Sequence, residues 1–215
     1  AFIARQVGAY EFENGLNIRI GKIEGSIYDR AIVKDVRFRD PEGVFATLPE
    51  ARLNWQPIDY LRGILNVNLL AARELYVARL PSLRVVPDRG EPFLPDLDIR
   101  IEHLNIDRII FAKAIAGEEQ IASLSGKARI ADRRAVVDAA VKSLKGDYLN
   151  VQLDAVPDDN RFDIALKLDA PPDGLVAGMA GKAVPINASV DGKGSWQKWD
   201  GVMRANVGPD RIADI

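Results

Sequence analysis

Tyr148-Leu149-Asn150-Val151-Gln152-Leu153-Asp154-Ala155 and, one short break later, Arg161-Phe162-Asp163-Ile164-Ala165-Leu166-Lys167-Leu168-Asp169 alternate apolar and polar side chains. A period of two sends all apolar side chains of a strand to one face and all polar ones to the other. Leu16, Ile18 and Ile20 alternate with Asn17, Arg19 and Gly21 in the same way near the start of the chain. Burying the apolar side of such a sheet is the main favourable free energy available to the fold. What covers that side therefore decides what the molecule can do.

Outward from these runs, strand-like stretches recur at 16–21, 23–28 and 32–38, ending at Asp40-Pro41-Glu42-Gly43, where Pro and Gly suit a turn. They continue at 44–48, 51–55 beyond Pro49, 65–70, 74–79, 82–86, 97–103, 104–110 and 121–130, then at 135–141, 148–155, 161–169, 185–191 and 201–207. Runs separated by turns at intervals of about 8 to 12 residues predict a mainly β chain of antiparallel hairpins. The stretch 131–144 fits either period, and Asp132-Arg133-Arg134 reads as a hairpin turn, which favours strand. Two short helices are expected. One covers 57–65, with Pro57 in its first turn and Ile58, Leu61 and Leu65 along one side. The other covers 174–181, after the breaker pair Pro171-Pro172. The stretch Pro87 to Pro95, with three prolines and acidic residues, is the expected place for any subdivision of an otherwise continuous 1–215 segment.

Composition narrows the function classes. Lys plus Arg is 29 against 31 for Asp plus Glu, and residues 1–100 hold 14 of each, leaving 15 basic and 17 acidic for the rest. Neither half carries the basic excess on which phosphate-backbone affinity depends, so no nucleic-acid partner is expected. Cysteine is absent, which removes disulfides, thiol nucleophiles and thiolate ligands. No stretch has the roughly 18 apolar residues of a spanning helix. The chain opens at Ala1 in mid-pattern and is expected to be a segment of a longer protein.

Catalytic signals are weak. His103 is the only histidine, it stands in a strand-like run, and no nucleophile motif accompanies it. Asp96/Asp98 and Asp158/Asp159 sit beside proline turns without calcium-loop spacing. Gly192-Lys193-Gly194-Ser195 lacks the leading glycine and the strand-to-helix context of a phosphate loop and reads as a hairpin turn. Trp196 and Trp199 flank a polar pair and suit packing on a sheet edge. No enzyme, metal or cofactor is expected.

A family resemblance lies in an ordered succession of motifs. These are Gly21-Lys22-Ile23-Glu24-Gly25-Ser26-Ile27-Tyr28, Ala31-Ile32-Val33-Lys34-Asp35-Val36, Asp40-Pro41-Glu42-Gly43-Val44-Phe45, Leu53-Asn54-Trp55-Gln56-Pro57 with Leu61, Ala71-Ala72 and Arg79-Leu80-Pro81. Gly194-Ser195-Trp196 through Trp199-Asp200-Gly201 adds a recurring tryptophan turn. Together they resemble the N-terminal periplasmic region of the TamB family in its alphaproteobacterial form. TamB is the inner-membrane component of the translocation and assembly module and belongs to the AsmA-like superfamily of bridge-like lipid-transfer proteins.

The resemblance implies a long antiparallel sheet curled into an open groove with an apolar interior, in a periplasmic protein anchored in the inner membrane. It implies phospholipid as cargo, transport between inner and outer membranes, and support of outer-membrane protein and autotransporter assembly with the barrel partner TamA. Both the anchor and the region that meets TamA would lie outside these residues. On that reading Ile18, Ile20, Val36, Phe38, Leu53, Val67, Leu69, Ile99, Ile101, Leu124, Val137, Val151, Leu153, Ile164 and Leu166 line the groove and contact acyl chains. Alternation by itself equally suits a closed β-sandwich in which the same residues are plain core. Two further readings are a scaffold whose edge strands pair with outer-membrane protein segments, and a sandwich that binds carbohydrate through Trp55, Trp196 and Trp199.

Overall fold

A computed structural model describes residues 12, 14–26, 30–84, 94, 97–195 and 197–214. Thirteen strands form one sheet that does not close. They are β1 (Asn17–Arg19), β2 (Lys22–Gly25), β3 (Arg30–Asp40), β4 (Gly43–Gln56), β5 (Ile64–Val77), β6 (Asp98–Phe111), β7 (Gln120–Ala131), β8 (Arg134–Ser143), β9 (Tyr148–Val156), β10 (Arg161–Ala170), β11 (Ile186–Gly194), β12 (Trp199–Val207) and β13 (Asp210–Asp214). Three very short helices, α1 (Pro57–Tyr60), α2 (Lys113–Ala116) and α3 (Leu175–Met179), interrupt them.

From β3 onward the spatial order follows the chain, and β1 and β2 both pair with β3 along one edge. The strands therefore occupy twelve positions and eleven spacings, about 53 Å across the ladder at about 4.8 Å per strand. Tight turns make the meander antiparallel. Between Ala131 and Arg134, Asp132 and Arg133 adopt φ of 51° and 58°, the two positive angles of a two-residue hairpin turn that matches strand twist.

One pair departs from the expected hairpins. β5 and β6 run parallel over Ile64↔Asp98 to Val77↔Phe111, so the sheet continues directly across the 78–97 connection. The strands on either side of that connection are each 14 residues long, about 46 Å, so its first and last residues lie at opposite strand ends. Its start is pinned by Asp40 at the end of β3, whose side chain is 0% exposed. The Asp40 carboxylate accepts two hydrogen bonds of 2.6 Å from the Arg79 guanidinium, one of 2.7 Å from the Ser82 N–H and one of 2.9 Å from the Glu42 N–H. The Arg84 N–H then donates to the Asn14 carbonyl at 2.9 Å. The candidate boundary at Pro87 to Pro95 lies, apart from Leu94, outside the described residues. Residues 82–84 of the expected 82–86 strand form no strand.

β4, β5 and β6 are each single 14-residue strands where the sequence suggested two apiece. Slips of the two-residue period produce the apparent breaks. Pro49, which has no N–H to give a ladder, has no registered partner, and neither does Asp35 across from it, at φ 54°. Similar slips fall near 68–69, 102–103 and 107–108. The helix expected over 57–65 ends at Tyr60, and Leu65 already belongs to β5. Gly192 and Gly194 lie within β11 and not in a turn, which comes at Ser195 and Lys198.

Burial is thin. Fourteen described hydrophobic residues are buried, eight of them alanines, and no large described side chain is fully buried. One cluster gathers Val36, Leu48, Ala51 and Ala72, with Val33, Phe38, Leu70, Leu75 and Ile106 packed against it. A second is built on α2 and α3: Ala116, Ala122 and Leu175, with Phe111 and Val141.

Candidate functional site

Residues paired across a ladder project to the same side of a sheet, so the register carries one face from strand to strand. Starting at Ile23 in β2, it runs through Val33, Ala51, Ala72, Ile106 and Leu124. It continues through Val141, Leu149, Leu168, Ala188 and Ala205 to Ala213 in β13. That row crosses the whole sheet without a polar side chain. A second row on the same face, Leu53, Leu70, Leu104, Gly126, Ala139, Val151, Leu166, Val190 and Met203, is also entirely apolar. The neighbouring row on the opposite face reads Asn105, Ser125, Ala140, Asn150, Lys167, Ser189, Arg204 and Asp214.

Fourteen of the fifteen sequence-selected residues meet on this apolar face. They are Ile18 of β1, Val36 and Phe38 of β3, Leu53 of β4, Val67 of β5, Ile99 and Ile101 of β6, Leu124 of β7, Val137 of β8, Val151 and Leu153 of β9, and Ile164 and Leu166 of β10, with Ile20, just beyond β1, packed on the Val36 cluster. Leu69 does not join them. The register slip next to Asn54 pairs Leu69 with Asn54 while Val67 pairs with Trp55 and Leu70 with Leu53, which turns Leu69 to the polar face. Period-two reading placed it beside Val67 because the slip at Asn68 leaves no mark in the hydrophobic pattern.

Among the described residues, polar side chains interrupt the apolar face at strand ends, near Asp40, Gln120 and Ser143 and at Asp210 on the β13 edge, and the first three are tied down. Gln120, buried, donates to Glu118 Oε1 at 3.1 Å and to the Asp173 carbonyl at 3.2 Å. The Ser143 hydroxyl bonds the buried carboxylate of Asp147, which also accepts the N–H groups of Leu175 at 2.8 Å and Val176 at 3.0 Å and so caps α3. With its first turn held, α3 lays Leu175 on Ala122, Phe111 and Val141 and closes that end of the face over β6 to β8. Sequence reading missed this cap, because Asp147 stands 28 residues before the helix it serves.

Apart from Asp40, Asp147 and Asp210, the charges described below sit on the polar side. Hydrogen bonds from Lys22 and then Lys34 pull Glu24 down to about 2. Arg134, bonded to Asp154 at 2.6 Å through Nε, lowers that carboxyl below its ordinary value. The Asp40 carboxyl lies far below the usual carboxylate range, held there first by Arg79 and then by the Ser82 and Glu42 N–H groups. A depression of about 730 Å³ spans β6 to β10, lined by Arg100, Lys127, Arg129, Arg134 and Arg161 but also by Glu102, Asp132, Asp138 and Asp159. Its mixed sign fits no single charged ligand.

The sequence candidates for chemistry do not assemble. His103 is exposed in β6, and Asp158 faces Arg133 at 3.6 Å. Among the described residues no group of three or more His, Asp or Glu is placed to hold a metal. Trp55 is buried in β4, Trp199 lies across Gly192 and Gly201 eight strand positions away, and Trp196 lies outside the described residues. No helix among the described residues is long and apolar enough to cross a membrane. No known protein family, curated protein or solved structure matches the chain.

Proposed function

We propose that this chain is a non-enzymatic segment of a TamB-like, AsmA-type lipid-transfer protein of the bacterial periplasm, whose sheet curls into an open trough that shields phospholipid acyl chains. One observation supports the reading above the rest: an apolar row crosses all twelve strand positions, yet most of its side chains remain half-exposed. A self-sufficient fold covers such a surface with its own elements. Among the described residues α2 and α3 cover one end, and the half-exposed rows beyond them are left for another apolar occupant.

Acyl chains suit that role by size and chemistry. At about 0.8 kcal/mol per methylene, a chain of about 15 carbons gains roughly 12 kcal/mol on leaving water. A ladder about 53 Å across offers continuous aliphatic contact over a useful part of a membrane-to-membrane path. Transport between inner and outer membranes, support of outer-membrane protein and autotransporter assembly, contact with TamA and attachment to the inner membrane are proposed for the longer protein of which this would be one segment.

Mass spectrometry of lipid retained by the purified protein tests the reading, together with photo-crosslinkers placed at Val151 and Ile164. Phospholipid adducts at these positions, and none from a crosslinker at Lys167 on the other face, are expected. A preparation from a lipid-rich host that never carries phospholipid would sink the proposal. Adducts only to unfolded barrel proteins would replace it with the strand-assembly scaffold.

A further inference from the structure

On the polar face, cross-strand neighbours are mostly matched in charge: Lys34 registers with Glu50, Glu74 with Arg108, Lys127 with Asp138, and Asp163 with Lys193. The β1 edge breaks this rule. Arg19 registers directly with Arg37, and Arg39, two residues on, shares their face. Like charges directly opposite destabilise a sheet. No ion pair reaches any of the three among the described residues, because the nearby carboxylates are committed elsewhere. Glu24 holds Lys22 and Lys34, Asp40 holds Arg79, and the charge of Asp35 bears on Lys34. The other like-charged register pairs differ, since each has an opposite charge at hand: Lys22 and Lys34 share Glu24, Asp154 is bonded by Arg134 while Asp163 registers with Lys193, and Arg100, opposite Arg129, is approached by Glu102 to 3.9 Å.

We infer that Arg19, Arg37 and Arg39 form a docking patch for the phosphate groups of an anionic membrane surface. Three guanidinium groups on adjacent positions of a rigid ladder present planar donor forks that suit phosphate oxygens, and the bound anions remove the repulsion between Arg19 and Arg37. A surface of many phosphates, unlike a single ion, can meet all three at once. The patch occupies the face opposite the apolar rows, so it seats the outside of the sheet edge on a bilayer and does not depend on what fills the trough.

The test is co-sedimentation of the whole chain with phosphatidylcholine vesicles, with and without phosphatidylglycerol. Binding is expected only with the anionic lipid and falls as salt is raised. Each arginine contributes about fivefold, so R19Q/R37Q/R39Q loses on the order of a hundredfold in partitioning. The single variant R37Q loses about fivefold and, with repulsion relieved, melts no lower than the parent. The charge-matched control K127Q/R108Q/R134Q retains its binding within about twofold. Equal losses in the control and the triple variant overturn the inference, as does equal binding to vesicles without phosphatidylglycerol. Saturable protection of Arg37 by inorganic phosphate at low millimolar concentration, with no vesicle binding, assigns the patch to a free anion and likewise overturns it. Retention of lipid in the trough is read separately by mass spectrometry, so failure of one idea leaves the other standing.

Discussion

The first six strands and the last seven solve the same problem with different means. β3 to β6 are 11 to 14 residues long, carry repeated register slips and gather Val36, Leu48, Ala51 and Ala72 into a buried cluster sealed at one end by Asp40 and Arg79. β8 to β12 are regular ladders of 9 or 10 residues, and their apolar face is mostly half-exposed aliphatic carbon. Slips increase local twist and bring neighbouring apolar side chains together, whereas regular hairpins keep them side by side. One half of the sheet therefore stabilises itself, and the other relies on backbone pairing and on whatever meets its face.

That contrast is open to attack, beginning where the effect should be greatest. Removal of the Asp40 carboxylate, as in Asp40→Ala, strands the Arg79 guanidinium and two backbone N–H groups at once, and the largest loss of stability is expected there. The same site sets an acid limit. Because the folded carboxyl lies below its unfolded value, its contribution is complete above about pH 5 and fades as the pH falls through and below about 4. Urea midpoints measured from neutral pH downward should fall in the parent and fall less in Asp40→Asn. Parallel slopes for the two proteins would show that the acid sensitivity lies elsewhere.

Next in size is the core itself. Leu48→Ala should cost about 3 kcal/mol, the usual range for emptying a buried leucine site, while Leu153→Ala in β9, half-exposed on the same face, should cost only about 1 kcal/mol. Equal costs in chemical denaturation would erase the distinction between the two regions. Between these two falls Asp147→Ala, at about 2 kcal/mol. It leaves the Leu175 and Val176 N–H groups without an acceptor, and hydrogen exchange should quicken across 175–179 first.

The two regions also differ in how far the sequence reveals them. In β7 to β12 the period of two is unbroken, so Leu124, Val137, Val151, Leu153, Ile164 and Leu166 could be assigned to one face from spacing alone, and Asp132-Arg133 marked its turn. In β3 to β6 the tertiary ladder decides where the period slips. Leu69 went to the wrong face, and three continuous strands looked broken. The parallel β5–β6 pairing, the Arg79 lock on Asp40 and the α3 cap on Asp147 each join residues 28 or more apart, beyond the reach of any local signal.

The smallest effect on stability should carry the most information about the face. Leu166 stands between Val151 and Val190 in the middle of an all-apolar row. Because the side chain is half-exposed, Leu166→Asn forfeits only part of a leucine's burial and should cost about 1 kcal/mol or less in water. Against hydrocarbon the balance changes, because an amide with no hydrogen-bond partner there carries a penalty of several kcal/mol. The variant should therefore fold nearly as well as the parent and yet retain much less phospholipid on purification, whereas Lys167→Asn, one residue away on the opposite face, should alter neither. If Leu166→Asn keeps its full complement of lipid, the acyl chains run elsewhere, and the exposed second half of the sheet needs a different partner to explain it.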